Sequence, residues 1–254
     1  LDLVALGTIA DLVKLDFNNR ILVNFGIKKI RSGNCNFGIE ALARLSKKKL
    51  ENIKTSDLSF SIAPKINAAG RLDDMAIGIK CLISMSKNEA EGYAKQLAVF
   101  NEQRKLVENK MKDDALTVLS DFVVEDSYTI TMYDINWHQG VVGIVASRLK
   151  EKYYRPTIIF AKDGSGLLKG SGRSISSFHL KDALDLISKS NPDLILTFGG
   201  HAMAAGMTIK EDNFNIFCAE FEIVAKRLLS QDDLNLITEF DKSIPKELLN
   251  HETI

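Results

Sequence analysis

The chain carries only three cysteines in 254 residues, Cys35, Cys81 and Cys218, with no CxxC pair and no metal-finger spacing among them. An odd number of scattered thiols excludes a disulfide-stapled scaffold and fits a reducing compartment, each being read as a core or half-buried thiol. No apolar run reaches the ~18–20 residues that a membrane span requires, and no charged-then-apolar leader opens the chain. The common signatures of zinc and nucleotide sites are missing: there is no HExxH, no Cys/His cluster and no GxxxxGK[ST] loop. Nor is there a GxSxG nucleophile elbow. Net charge is lacking as well, since 33 basic side chains are matched by 33 acidic ones. Taken whole, that balance argues against a nucleic-acid binder, which is usually basic.

What is present describes an ordinary globular protein, 45% hydrophobic and 26% charged, with length for one large domain or two smaller ones. The neutral total hides an uneven distribution. Lys14 to Lys54 has a balance of +7, Gly140 to Lys181 one of +6, and Glu211 to Ile254 one of −6. Two basic segments suit a polyanion such as single-stranded nucleic acid, or else are solvated helix faces.

Residues 1–13, LDLVALGTIADLV, form an apolar segment expected to be buried, helix or strand by period alone. The chain starts there at Leu1 rather than Met, and reads as a fragment with its N-terminal portion missing. A helical pattern covers about 37–49. Two short apolar runs flank Asn67-Ala68-Ala69-Gly70, after which Leu72-Asp73-Asp74 resembles a cap for a helix through Met85. From 87 to 119 there is no proline and one glycine, and apolar residues recur at three- and four-residue steps. This spacing predicts one helix of ~45–50 Å, a coiled coil or a link between two domains. Beyond it strands at 128–133, 157–161, 167–174, 194–198 and 206–210 alternate with helices at 140–154, 179–189 and 213–229. That alternation means an α/β layer structure.

Four small-residue clusters invite chemistry. In Gly170–Ser174 (GSGRS) the glycines permit close backbone approach, and Ser171, Arg173 and Ser174 offer donors to one anion, with Lys169 on the same strand face. The stretch is a phosphate cradle or merely a turn. Gly199 and Gly200 put His201 at a strand-to-loop junction, where α/β sheets often hold ligands; a lone histidine is also commonly structural. His138, in Trp137–Gly140, faces the same site or caps the next helix. His179 is read as a surface or cap residue. Asn67–Arg71 is the fourth cluster, and Asp11 is the one interior acid of the opening segment after Asp2.

The ordered motifs LDLVALGTIADLVKL, NRILVNFGIKKIR, APKINAAGRLDDM, WHQGVVGIVASRLKEKYYRP, LKGSGRSI and LTFGGHAMAAGM together resemble the RecJ family of bacterial exonucleases, within the DHH phosphoesterase superfamily. The resemblance implies an α/β protein: the end of a DHH catalytic lobe (1–56), a helical connector with the long helix (57–119), and a DHH-associated nucleic-acid-binding domain with a mixed sheet (120–230). Residues 231–254 would begin a following oligonucleotide-binding domain. It implies 5′-to-3′ hydrolysis of single-stranded DNA by two Mn²⁺ or Mg²⁺ ions. Asp11 matches a metal-ligating aspartate. Asn67, Arg71, Lys169, Ser171, Arg173, Ser174, Gly199 and Gly200 match positions on the nucleic-acid path, and His201 a donor to the reacting phosphate. Single-stranded DNA, a helicase and a single-strand-binding protein are the implied partners of a monomer in the bacterial cytoplasm, engaged in DNA repair and recombination. One departure is large. No Asp-His-His triplet occurs, and one carboxylate cannot hold two cations, so this polypeptide alone is expected to be inactive. The alternatives are a DHH-family oligoribonuclease or phosphatase, and a non-catalytic single-strand-binding module.

Overall fold

The structure is a computed structural model that describes residues 1–120, 126–237 and 240–250. Helices α1 (Asp2–Ala10), α2 (Phe17–Arg31) and α3 (Phe37–Leu45) lead into the single turn α4 (Thr55–Asp57), a π-helical turn at 58–62, then α5 (Ala63–Leu72) and α6 (Ala76–Ile83). Local chemistry sets their ends. The Asp16 carboxylate accepts from the Asn19 N–H at 2.8 Å to start α2, and Lys28, Lys29 and Arg31 suit the negative end of its dipole. Pro64 in the first turn starts α5 without wasting a donor. Ile39, Leu42, Ile53, Leu58 and Ile62 close a first core with Leu97 of α7 (Lys87–Ser120).

At 34 residues α7 is about 51 Å long. Ala90, Ala94 and Leu97 enter the first core, whereas Met111, Ala115 and Leu119 enter a second one. The two cores share no residue and α7 ties them together. The second lobe runs β1 (Ile130–Asp134), α8 (Val142–Tyr153), β2 (Thr157–Lys162), β3 (Leu167–Arg173), α9 (Leu180–Ser190), β4 (Thr197–Gly200), β5 (Ala204–Lys210) and α10 (Phe214–Leu228). Its sheet has the order β1-β2-β3-β5-β4, with β1 parallel to β2 and every other pair antiparallel. Strand alternation divides the sheet. Ile159 and Ala161 face α8 and the end of α7, while Phe160, Leu168 and Met207 face α9 and α10, where Phe217 and Phe221 stack.

The α/β architecture with a mixed sheet and a long helix is the expected one. Four local expectations change. The opening segment is a helix but not a buried one: Asp2, Ala5, Leu6 and Ile9 are inside, and Leu3, Val4, Leu12 and Val13 are exposed. A 15-residue helix, α2, lies where none was expected. The Asn67–Arg71 cluster is helical, its alanines Ala68 and Ala69 fully buried. The fourth strand pairs over Thr197–Gly200 rather than 194–198, because Leu194 and Ile195 are buried before the ladder begins.

Candidate nucleic-acid interface

Arg71 lies in the last turn of α5, exposed, and its Nη1 donates to the Gly140 carbonyl at 3.1 Å. The backbones cross closely here: a Cβ on Gly140 would sit 1.9 Å from the Arg71 carbonyl oxygen. Only glycine permits that approach, which explains the last residue of Trp137–Gly140. His138 shapes the same turn. Its Nδ1 accepts from the Gly140 N–H at 3.0 Å, and its own N–H reaches the Met111 Sδ at 3.4 Å. So His138 closes the turn before α8 and lies beside Arg71 as well.

Across from this loop, Ser171 and Arg173 project from β3 on the α8 side. Arg173 Nη1 donates to Ser171 Oγ at 3.0 Å and to the Gly172 carbonyl at 2.8 Å. Gly143 leaves the room they need, since a Cβ there would come within 2.9 Å of both side chains. The Arg173 guanidinium is pushed below its ordinary range by burial and by the nearby charge of Arg71. Burial does the same to Arg71, with Arg104 adding to it and Glu108 opposing. Arg71 and Arg173, carried by different lobes, therefore lie near one another at the junction. Like charges held this way favour an anion between them.

The other candidates divide around this pair. The hairpin carrying His201 closes at the same end of the sheet, because Arg173 pairs with Ala204 and the His201 N–H donates to the Ala204 carbonyl at 2.8 Å. Gly200 has φ +148° and its Cβ would meet the Ala204 oxygen at 2.3 Å, so that glycine serves the turn. Gly199 has open space where a side chain would be. It shares a row with Gly206 and Ser171. Lys169 stands four residues from Arg173, about 13 Å along the strand, and pairs with Asp163 at 3.8 Å. Ser174 does not belong to the cradle: it is fully buried, its hydroxyl donating to the Phe178 carbonyl at 2.7 Å. The strand has ended and the chain has turned inward. His179 caps α9, its Nδ1 accepting from the Asp182 N–H.

Asn67 lies one helical turn before Arg71, exposed on α5, and lines a groove of about 360 Å³ with Gly7 and Ala10 of α1. Asp11 follows Ala10 as the C-cap of that helix, exposed to solvent. Among the described residues no three His, Cys, Asp or Glu side chains cluster as a metal site. Asp11 alone does not fit a two-cation centre. A larger cavity of about 530 Å³ opens beside β1, between Trp137 and Phe214. It contains none of these residues.

Sequence reasoning missed Arg104, Glu108 and Arg148, which join the junction from α7 and α8. For Arg104 the signal was a polar gap in the long helix, Asn101 to Lys105; Glu108 and Arg148 had none of that kind.

Residues 125–227 match the DHHA1 domain family, so the sheet and the helices around it define a protein bearing the DHH-associated domain. The chain is 44% identical over 256 residues to the single-stranded-DNA-specific exonuclease RecJ of Haemophilus influenzae, covering 100% of this chain and 44% of that protein. It is 34% identical to the Bacillus subtilis protein of the same name, covering 32% of it. RecJ from Thermus thermophilus in complex with Mg²⁺ superposes with a TM-score of 0.78 at 34% identity, covering 89% of this chain and 34% of that one. An exonuclease RecJ bound to manganese gives 0.74 at 32% identity, covering 92% and 58%. Over nearly its whole length the chain is similar to these RecJ exonucleases. It spans less than half the length of these curated relatives.

Proposed function

We propose that this chain is the strand-gripping part of an exonuclease that degrades single-stranded DNA from its 5′ end. The observation that carries the reading is the placement of Arg71 and Arg173 at one junction, where Arg71 Nη1 donates to the Gly140 carbonyl and Gly143 leaves the room that Arg173 and Ser171 fill. A phosphodiester between the two arginines would gain two charge-assisted contacts, from α5 on one side and β3 on the other. Ser171 adds a hydroxyl, and Gly199 and Gly206 leave the neighbouring sheet face open to a backbone. The exposed side chains of Asn67 and Lys169 would extend the track at either end. No aromatic side chain joins Arg173, Ser171 and Lys169 on β3, which suits contact with sugar and phosphate rather than base reading. His201 would donate to the phosphate undergoing hydrolysis.

Metal chemistry would need carboxylates besides Asp11. The Thermus relatives hold Mg²⁺ or Mn²⁺, and a full-length protein of this family would bring two such ions to the strand. The domain layout of a catalytic-lobe end, connector, DHH-associated domain and oligonucleotide-binding start belongs to the same proposal, as do a helicase and a single-strand-binding protein as partners. So do a role in DNA repair and recombination, a monomeric state and a bacterial cytoplasmic setting, with which three free cysteines agree. A second reading, a non-catalytic single-strand-binding module, is favoured for the isolated chain by its lone Asp11.

The test is Mn²⁺-dependent digestion of a 5′-labelled oligonucleotide by the full-length protein and its Arg173→Ala variant. Loss of one charge-assisted contact should lower kcat/KM about tenfold. Equal rates for the two proteins, or equal digestion of duplex, would contradict the proposal.

A further inference from the structure

One seam of α7 follows heptad spacing through Ala94, Leu97, Asn101, Arg104, Glu108 and Met111. Ala94 and Leu97 fill the helical core and Met111 the sheet core, but the three residues between them are polar. Two of them are nonetheless inside, Asn101 at 3% exposed and Glu108 at 8%, and Arg104 is partly buried. Glu108 Oε2 accepts from Arg104 Nη1 at 2.7 Å, and its Oε1 lies 3.5 Å from Arg148 Nε on α8. Asn101 Oδ1 and Arg104 Nε are buried with no partner among the described residues.

Stability does not explain this interruption. A buried ion pair repays its desolvation poorly, and leucines at the same heptad positions would hold the helix at least as well. What the position offers is proximity. Arg71 lies within the field of both Arg104 and Glu108, so Glu108 is the acid placed among three arginines at the lobe junction.

We propose that Glu108 is a positioning residue, fixing Arg104 and Arg148 and offsetting the repulsion of Arg71 by Arg104, so that Arg71 stays on the Gly140 carbonyl near Arg173. This rests on the strand-gripping reading of that site. Because Glu108 is itself an anion near a phosphate path, charge alone and positioning predict opposite signs for its removal.

The experiment measures fluorescence anisotropy of a 5′-labelled oligothymidylate across a salt series, with thermal melts confirming that each variant is folded. Glu108→Gln should bind about five- to tenfold more weakly than the parent despite its extra net positive charge, with a shallower salt slope. Glu108→Asp should restore most of the affinity. Tighter or unchanged binding by Glu108→Gln, while Arg173→Ala is weakened, would overturn the positioning role and leave the grip intact. Unchanged binding by Arg173→Ala as well would overturn both. Should Glu108→Gln not fold, Arg148→Gln replaces it, with Lys152→Gln as a charge-matched control on the exposed side of α8. A larger loss at Arg148 supports the assignment, and equal losses overturn it.

Discussion

At the scale of single residues, the glycines of the motifs do different jobs, and space distinguishes them. Gly140 is demanded by a backbone crossing, Gly143 by two side chains, Gly200 by its φ, and Gly199 by nothing within the protein. Gly140→Ala should therefore destabilise the protein by about 1–3 kcal/mol as the loop is forced off Arg71. Gly199→Ala should leave the urea midpoint where it is. Equal midpoints for the two variants would contradict the assignment. Strand alternation in GSGRS sets Ser171 and Arg173 on one face, as they are found, yet the motif also puts Ser174 in the cradle. Alternation ends with the strand, and the burial of Ser174 follows from a bond to Phe178 four residues later, which no local pattern announces.

At the scale of elements, α7 was the most legible feature, because apolar steps of three and four persist over 34 residues without proline. Its one interior glycine, Gly92, has no atom within 4 Å of the place a Cβ would occupy. Gly92→Ala should raise stability by about 0.5–1 kcal/mol, from reduced freedom in the unfolded chain and better helix propensity. A lower melting temperature for that variant would contradict the placement of Gly92 in an open helix interior. Helix α2 escaped notice for a physical reason. Its buried stripe is narrow, Val23, Ile27 and Ile30, while Phe17, Ile21, Leu22 and Phe25 are exposed and blur the period. Asn67–Arg71 reads in the sequence only as a small-residue stretch ahead of a helix cap, with no helix of its own. Here Ala68 and Ala69 are small because their helix is fully buried on that side, and Pro64 was the overlooked start signal.

At the scale of the molecule, two cores without a common residue are joined by one helix and by the Arg71–Gly140 contact. Trp137, the single tryptophan, lies in the core that α8 covers and reports the sheet lobe alone. Leu97→Ala should cost about 2–5 kcal/mol in the helical core. It should lower the unfolding midpoint seen by far-ultraviolet circular dichroism more than the midpoint seen by tryptophan fluorescence; coincident shifts would mean that the lobes unfold as one. The meeting of Arg71 with Arg173 could not be read locally, since it depends on how α7 sets one lobe against the other across about a hundred residues of sequence. Zero net charge concealed it further: the basic segments are offset by the acidic end only in the total, while the junction itself sets Arg71, Arg104 and Arg148 about one glutamate, with Arg173 in the field of Arg71. The measurement that tests the central claim most directly is the salt dependence of single-strand binding by this chain, from about 50 to 200 mM, with and without Arg71→Ala and Arg173→Ala. The account predicts that each variant weakens binding and reduces the slope of log affinity against log salt by about 0.7, the share of one phosphate contact on a single strand. Parallel lines of unchanged affinity for all three proteins would contradict it.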